Sequence, residues 1–160
     1  MTGKPAKLVY DRDEDMRVTG KRHDFKISYN AGFDDNGVIQ ALDIHQALRC
    51  GMSFDLSAAI ADRAMMHAEN AYGIAAMRIR SSLCKTNTPS NTAFRGFGGP
   101  QGVLGMERVI DDIAAYLGID PFLVRQRNFY PDKQDMENGK TTPYGQPVTD
   151  CIIGALTTKL

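Results

Sequence analysis

The 160-residue chain carries 19 basic and 19 acidic residues, so its formal charge is zero and the basic footprint of a nucleic-acid binder is absent. Hydrophobic residues make up 42% and charged residues 24%, the balance of a globular protein with a single core, and no apolar run approaches the length of a membrane span. The first residues, "MTGKPAKLVY", lack the apolar stretch of a secretory signal, and Cys50, Cys84 and Cys151 form no pattern that would hold zinc or a disulfide frame. Reduced, buried thiols in a cytoplasmic protein are the expectation.

In chain order, residues 6–10, "AKLVY", predict a short strand. "DRDEDMRVTG" follows as an acidic turn or the start of a helix. Asp11, Asp13 and Asp15 alternate as in a calcium loop, but Met16 stands where the turn glycine belongs and Arg22 where the closing glutamate belongs, so calcium is excluded. "HDFKISYNAGF", "DDNG" and "VIQALDIHQAL" predict a β-hairpin, because Phe25, Ile27 and Tyr29 alternate with polar residues and Asn36-Gly37 is a turn signal. A helix is predicted over 54–69, a third strand over 75–87 and a glycine-rich loop, "SNTAFRGFGGPQG", over 90–102. A helix over 101–117 ends at Gly118, and another begins at Asp120-Pro121. Residues 131–149 are polar and rich in Pro and Gly, hence loop, and "VTDCIIGALTTKL" is amphipathic. Both ends read as cut, so residues 1–160 are expected to be a fragment of a larger domain. The predicted class is α+β: twisted antiparallel strands, a hairpin plus a third strand, packed on the helices near 54–69 and 101–117.

Two features carry chemistry. On a helical wheel of 54–69, Leu56, Ile60, Arg63 and His67 share one stripe, while Asp55, Asp62 and Glu69 form the wet one. Arg63 is thereby placed on the apolar side, away from those acids. It is then either half of a buried ion pair, a side chain that snorkels out, or a guanidinium aimed into a polar pocket to meet a ligand. The loop begins like a dinucleotide fingerprint, but Gln101 replaces the third glycine and no Gly-Lys-Ser/Thr follows, so neither a Rossmann nor a P-loop reading holds. What remains is a tight turn into a helix. Either its glycines and helix-terminal amides seat an anionic or oxo group, or it is a connection that packs Phe94 and Phe97 into the core.

In order, "DRDEDMRVTGKRH", "LSAAIADRAMMHAENAYGI", "SSLCKTNTPSNTAFRGFGGPQG" and "VRQRNFY" resemble the molybdenum-binding portion of the xanthine dehydrogenase and xanthine oxidase family. The likeness runs through nearly the whole chain. It implies an oxidoreductase that hydroxylates purines, hypoxanthine and xanthine to urate, with oxygen from water. It implies a molybdenum–molybdopterin cofactor contacted by Ala93, Phe94, Arg95 and Gly96, with no protein ligand to the metal. Phe97 is then the aromatic that stacks on the purine, and Arg63 the residue that binds and polarises it as charge builds on the ring. FAD and 2Fe-2S clusters are implied in other modules or subunits, as are the rest of the molybdenum domain and an oligomeric whole. The family's catalytic glutamate is not matched by Glu14, Glu69, Glu107 or Glu137, so the segment alone is expected to be inactive. Two other readings stay open: an aldehyde oxidase-like member of the same hydroxylases, and a non-catalytic structural domain. Whether NAD or oxygen accepts the electrons is not written in these residues.

Overall fold

The computed structural model describes residues 3–131 and 141–159. Its first element is α1, Arg12–Val18. Asp11 caps it: the Asp11 carboxylate accepts from the Glu14 amide at 2.8 Å, and the Glu14 carboxylate accepts from the Asp11 amide at 3.4 Å. This reciprocal box makes the acidic run a helix start. The strand expected over 6–10 does not form. Those residues take no regular structure and Leu8, Val9 and Tyr10 are exposed, because strand propensity without a pairing partner stabilises nothing.

The hairpin forms as expected. β1 (Phe25–Phe33) and β2 (Ile39–Gly51) pair antiparallel, with Phe25 opposite Leu48 and Tyr29 opposite Ile44. At the turn, the Asp34 carboxylate accepts from the Asn36 and Val38 amides, both at 2.9 Å, and Gly37 takes a φ of 79°. A helix, α2 (Ser57–Met66), then carries the chain across to β3 (Ala76–Lys85). β3 pairs with β2 in parallel, Ile79 beside Ile44, giving the order β1-β2-β3. The α+β class therefore holds, but the third strand is not antiparallel: a helical crossover carries the chain back so that β3 runs in the same direction as β2.

α3 (Gly99–Leu117) and α4 (Pro121–Asn128) cover the sheet. Ile39, Leu42 and Ile44 meet Met106, Val109, Ile110, Ile113 and Ala114 of α3 and Val124 of α4 in one buried cluster. A smaller cluster joins Leu48 and Cys50 to Ala61 of α2. Of the three thiols only Cys50 is buried; Cys84 is exposed and Cys151 half-buried. Asn128 ties α4 to the hairpin turn: its side chain accepts from the Ile39 amide and donates to the Gly37 and Val124 carbonyls, each at 2.8 Å. The caps are those expected, Gly118 at φ 68° after α3 and Asp120 before α4, where its carboxylate accepts from the Phe122 amide at 2.7 Å. Of the loop predicted over 131–149, residues 132–140 lie outside the described residues; 141–149 form no helix, and α5 (Ile153–Thr157) follows. Among the described residues no helix is long and apolar enough to cross a membrane.

Candidate functional site

The glycine loop is shaped by how closely α3 approaches α2. The buried face of α2 is made of Ser57, Ile60, Ala61 and Ala64, mostly small side chains. A Cβ at Gly98 would lie 2.1 Å from the Ile60 carbonyl oxygen, and one at Gly102 would lie 2.2 Å from that of Ala64. These two glycines are there for helix-to-helix contact. Just before them, Gly96 (φ 94°), Phe97 (φ 51°) and Gly98 (φ 93°) are three successive left-handed residues. For a phenylalanine that conformation costs on the order of 1–3 kcal/mol, held here by its neighbours.

Neither ring of the loop joins the core. Phe94 is 55% exposed and Phe97 half-buried, so the loop is not the packing connection that remained open. Ala93 and Arg95 are also exposed. Within residues 93–98, the Phe97 amide donates to the Phe94 carbonyl at 2.8 Å. The amides of Ala93, Phe94, Arg95, Gly96 and Gly98 have no partner among the described residues. The loop thus presents a run of free N–H groups at the start of a long helix, where the dipole favours negative charge.

The flanks of this loop are fastened at several points. The Thr92 amide donates to the Lys21 carbonyl at 3.0 Å, the Asn91 amide to that of Cys50 at 2.9 Å, and the Asn91 side chain to that of Arg49 at 2.9 Å. Asp55 accepts from the Thr92 side chain and the Leu56 amide, which hold its carboxyl below the ordinary value. His23, 2% exposed, places Nε2 2.7 Å from the Ser57 hydroxyl, and burial lowers its pKa despite Asp55 and Asp24 nearby. Gln101 donates to the His23 carbonyl at 3.0 Å, leaving its own buried Oε1 without a partner among the described residues.

Arg22, notable in the sequence only for excluding a calcium loop, reaches the glycine loop directly. Its Nη2 donates to the Arg95 carbonyl at 2.7 Å, and its guanidinium lies 4.4 Å from the centre of the Phe94 ring. Its Nη1 is buried and unpartnered among the described residues. No local pattern announces this contact, because the Arg95 carbonyl lies 73 positions away.

Arg63 is not where the wheel puts it. It is exposed, and so is Leu56, whereas Glu69 is only 4% exposed. The wheel weights large apolar residues, but α2 buries its small ones against Gly98 and Gly102. No buried ion pair forms: among the described residues nothing bonds to the Arg63 guanidinium. Its Nε lies 3.8 Å from where a Gly99 Cβ would stand, with the His67 ring at 3.4 Å from the same point. The His67 Nδ1–H donates to the Arg63 carbonyl at 2.9 Å. Arg63 and His67 thus flank Gly99, two positions beyond Phe97. Glu69 belongs elsewhere, accepting a short hydrogen bond from the Tyr144 hydroxyl, and burial raises its pKa. Among the described residues no group of three or more His, Cys, Asp or Glu could hold a metal ion.

Residues 1–129 match the model of the molybdopterin cofactor-binding domain. The chain belongs to that family. It is 44% identical over 159 residues to a xanthine dehydrogenase of Drosophila subobscura, covering 96% of this chain and 11% of the relative. Xanthine dehydrogenase 1 of Arabidopsis thaliana is also 44% identical, over 156 residues, covering 98% of this chain and 11% of its own. The chain spans about a tenth of the length of these relatives. Among solved structures, the aldehyde oxidoreductase of Desulfovibrio desulfuricans superposes with a TM-score of 0.81 at 30% identity, over 99% of this chain and 17% of that one. The aldehyde oxidoreductase of Desulfovibrio gigas does so at 0.82 and 24%, over 94% and 16%, a likeness of fold.

The loop fits one edge of a molybdopterin. A pterin is flat and rich in hydrogen-bonding atoms, and it needs donors set on a rigid backbone. The free amides of 93–96 are such donors. A Cβ at Gly96 would collide with the Pro100 ring at 2.5 Å, so the backbone at Gly96 is bare by necessity. The residues that could hold the cofactor are therefore Ala93, Phe94, Arg95 and Gly96, with Arg22 behind them.

Proposed function

We propose that the chain is one part of the molybdenum-binding portion of a xanthine dehydrogenase-type hydroxylase, acting on hypoxanthine and xanthine to give urate. The reading rests on the names of its relatives and on one observation: the Arg63 guanidinium, bonded to nothing among the described residues, stands beside Gly99, next to the loop of free amides. Bound molybdenum supplies the oxidising power and the route by which water-derived oxygen reaches the ring. The residues of this chain do the rest of the local work. The amides of 93–96 hold the cofactor edge. Phe97 offers a face to the purine. Arg63, paired with no acid among the described residues, stabilises the negative charge that grows on the purine during attack.

The same reading places FAD and 2Fe-2S clusters in other modules or subunits of an oligomeric, cytoplasmic enzyme. It makes residues 1–160 a fragment of the molybdenum domain, inactive without the remainder. Exposed apolar side chains, among them Leu8, Val9, Met52, Phe54 and Leu104, support a surface covered by other parts of that domain.

The test is steady-state kinetics of Arg63→Met and Arg63→Lys in the full-length protein, on xanthine and on a simple aldehyde. With molybdenum content unchanged, the methionine variant is expected to lower kcat on xanthine about a hundredfold, roughly 3 kcal/mol, and to change KM less. Lysine restores part of the rate, since it carries the charge without the planar fork. Aldehyde turnover is spared. Equal losses on both substrates overturn the role. The solved aldehyde oxidoreductases of the same fold favour a second reading, an aldehyde-oxidising relative, and a wild-type protein that turns over aldehydes but not purines would establish it.

A further inference from the structure

We propose that Arg22 is a positioning residue for the cofactor-binding loop, one that aims the Gly96 amide outward. This rests on the reading that residues 93–96 hold molybdopterin. The geometry is that of a single peptide. Arg22 Nη2 holds the Arg95 carbonyl oxygen at 2.7 Å. The chain contains no cis peptide among its described residues, so the Arg95 carbonyl and the Gly96 N–H point in opposite directions. Pulling the carbonyl toward Arg22 drives the Gly96 N–H to the face away from Arg22. That N–H has no partner among the described residues, and is therefore presented as a donor to an acceptor on the cofactor.

One arginine performs this because of its shape. The flat guanidinium lies 4.4 Å from the centre of the Phe94 ring while its edge reaches the next carbonyl along. Nη1 is buried 3.7 Å from where a Gly96 Cβ would stand, so the guanidinium also fills the space beneath the bare backbone of Gly96. The neighbouring peptides are tied to this one: the Phe97 amide donates to Phe94 and the Gly99 amide to Gly96, at 2.8 and 3.0 Å. Loosening Arg95 should loosen the whole turn. A lysine could reach the carbonyl with one donor, but has no second part of its head to set over the Phe94 ring at the same time.

The experiment uses the full-length protein with Arg22→Met and Arg22→Lys, and has two arms. In metal-free protein, amide hydrogen exchange at Phe97 and Gly99 is expected to become at least tenfold faster in the methionine variant, with a smaller change for lysine. In loaded protein, molybdenum lost on prolonged dialysis is expected to rise at least tenfold for methionine, lysine falling between, while KM for xanthine moves less than the occupied fraction. Unchanged exchange at both amides overturns the positioning role by itself. Faster exchange with unchanged molybdenum retention also overturns it, leaving Arg22 a structural brace. Wild-type protein that purifies without molybdenum from cells able to supply it overturns the cofactor reading, and the inference with it. If the methionine variant does not fold, the lysine variant decides between these outcomes, with the same readouts.

Discussion

The two ends of α3 are flanked by glycines in the same left-handed conformation, Gly98 at φ 93° and Gly118 at φ 68°, yet their surroundings are opposite. A Cβ at Gly118 would meet nothing within 4 Å, whereas one at Gly98 would lie 2.1 Å from the Ile60 carbonyl oxygen. Gly118 only ends a helix. Gly98 ends a loop, starts a helix and admits the backbone of α2. Between them the helix changes character, from Gly99, Gly102 and Gly105 to Met106, Val109, Ile110 and Ile113. The first half fixes distances between backbones, and the second half buries apolar surface. The free amides of 93–98 stand at the end that fixes distances, where a ligand site needs rigid placement.

Gly98→Ala should break this contrast most severely. Backbone strain and overlap with Ile60 act together and cannot be relieved without parting α2 from α3. A loss of roughly 4 kcal/mol or more, or failure to fold, is expected in soluble yield and urea midpoint. A midpoint within experimental error of the parent would mean that the two helices do not meet as described. Ile110→Ala, at the other half of the helix, should cost about 2–4 kcal/mol through a core cavity. In the full-length protein this variant should nonetheless hold as much molybdenum as its parent, because the change is confined to the sheet-facing end. Gly118→Ala should cost only about 1 kcal/mol, the strain of the left-handed backbone alone. If Gly118→Ala proved as damaging as Gly98→Ala, close packing would not be what separates the two sites.

The same contrast marks what could be read in the sequence. The half built on large side chains was legible: alternation in β1, the Asn36-Gly37 turn, the apolar face of α3 and both caps all follow from local chemistry. The half built on close approach was not. Ser57, Ala61 and Ala64 carry little hydrophobic signal, so the wheel followed Leu56 and Ile60 and drew Arg63 inward with them. The parallel direction of β3 was within reach, since a strand, a helix and a strand joined in sequence favour that pairing. The words "SNTAFRGFGGPQG" pointed to the family, but Arg22 could not be found from them: its contact with Arg95 exists only once the segment between α1 and β1 and the loop have been brought together.

The last and smallest effect is one of pH, and it too belongs to the end of α3 that fixes distances. His23 is buried between Ser57 of α2 and the base of the glycine loop, and burial lowers its pKa below the ordinary value of 6.5. The folded chain therefore prefers the neutral ring. Above about pH 6.5 folded and unfolded chains are both neutral at this position, and its contribution to stability is fully present. As pH falls below 6.5 the unfolded chain takes up a proton that the folded chain resists, so stability is lost down to the folded pKa. His23→Gln keeps a partner for the Ser57 hydroxyl and removes the titration. The urea midpoint of the parent should thus fall more steeply than that of His23→Gln between pH 7.5 and 5.5, whatever their difference at neutral pH. Glu69 works in the opposite sense: its raised pKa makes its own contribution decline as pH rises above the ordinary carboxylate value, so it cannot account for a loss on acidification. Parallel pH profiles for the two proteins would show that His23 carries no such linkage, the pull of Asp55 and Asp24 offsetting its burial, and a parent that gains on His23→Gln as pH falls would show that those acids stabilise the charged ring.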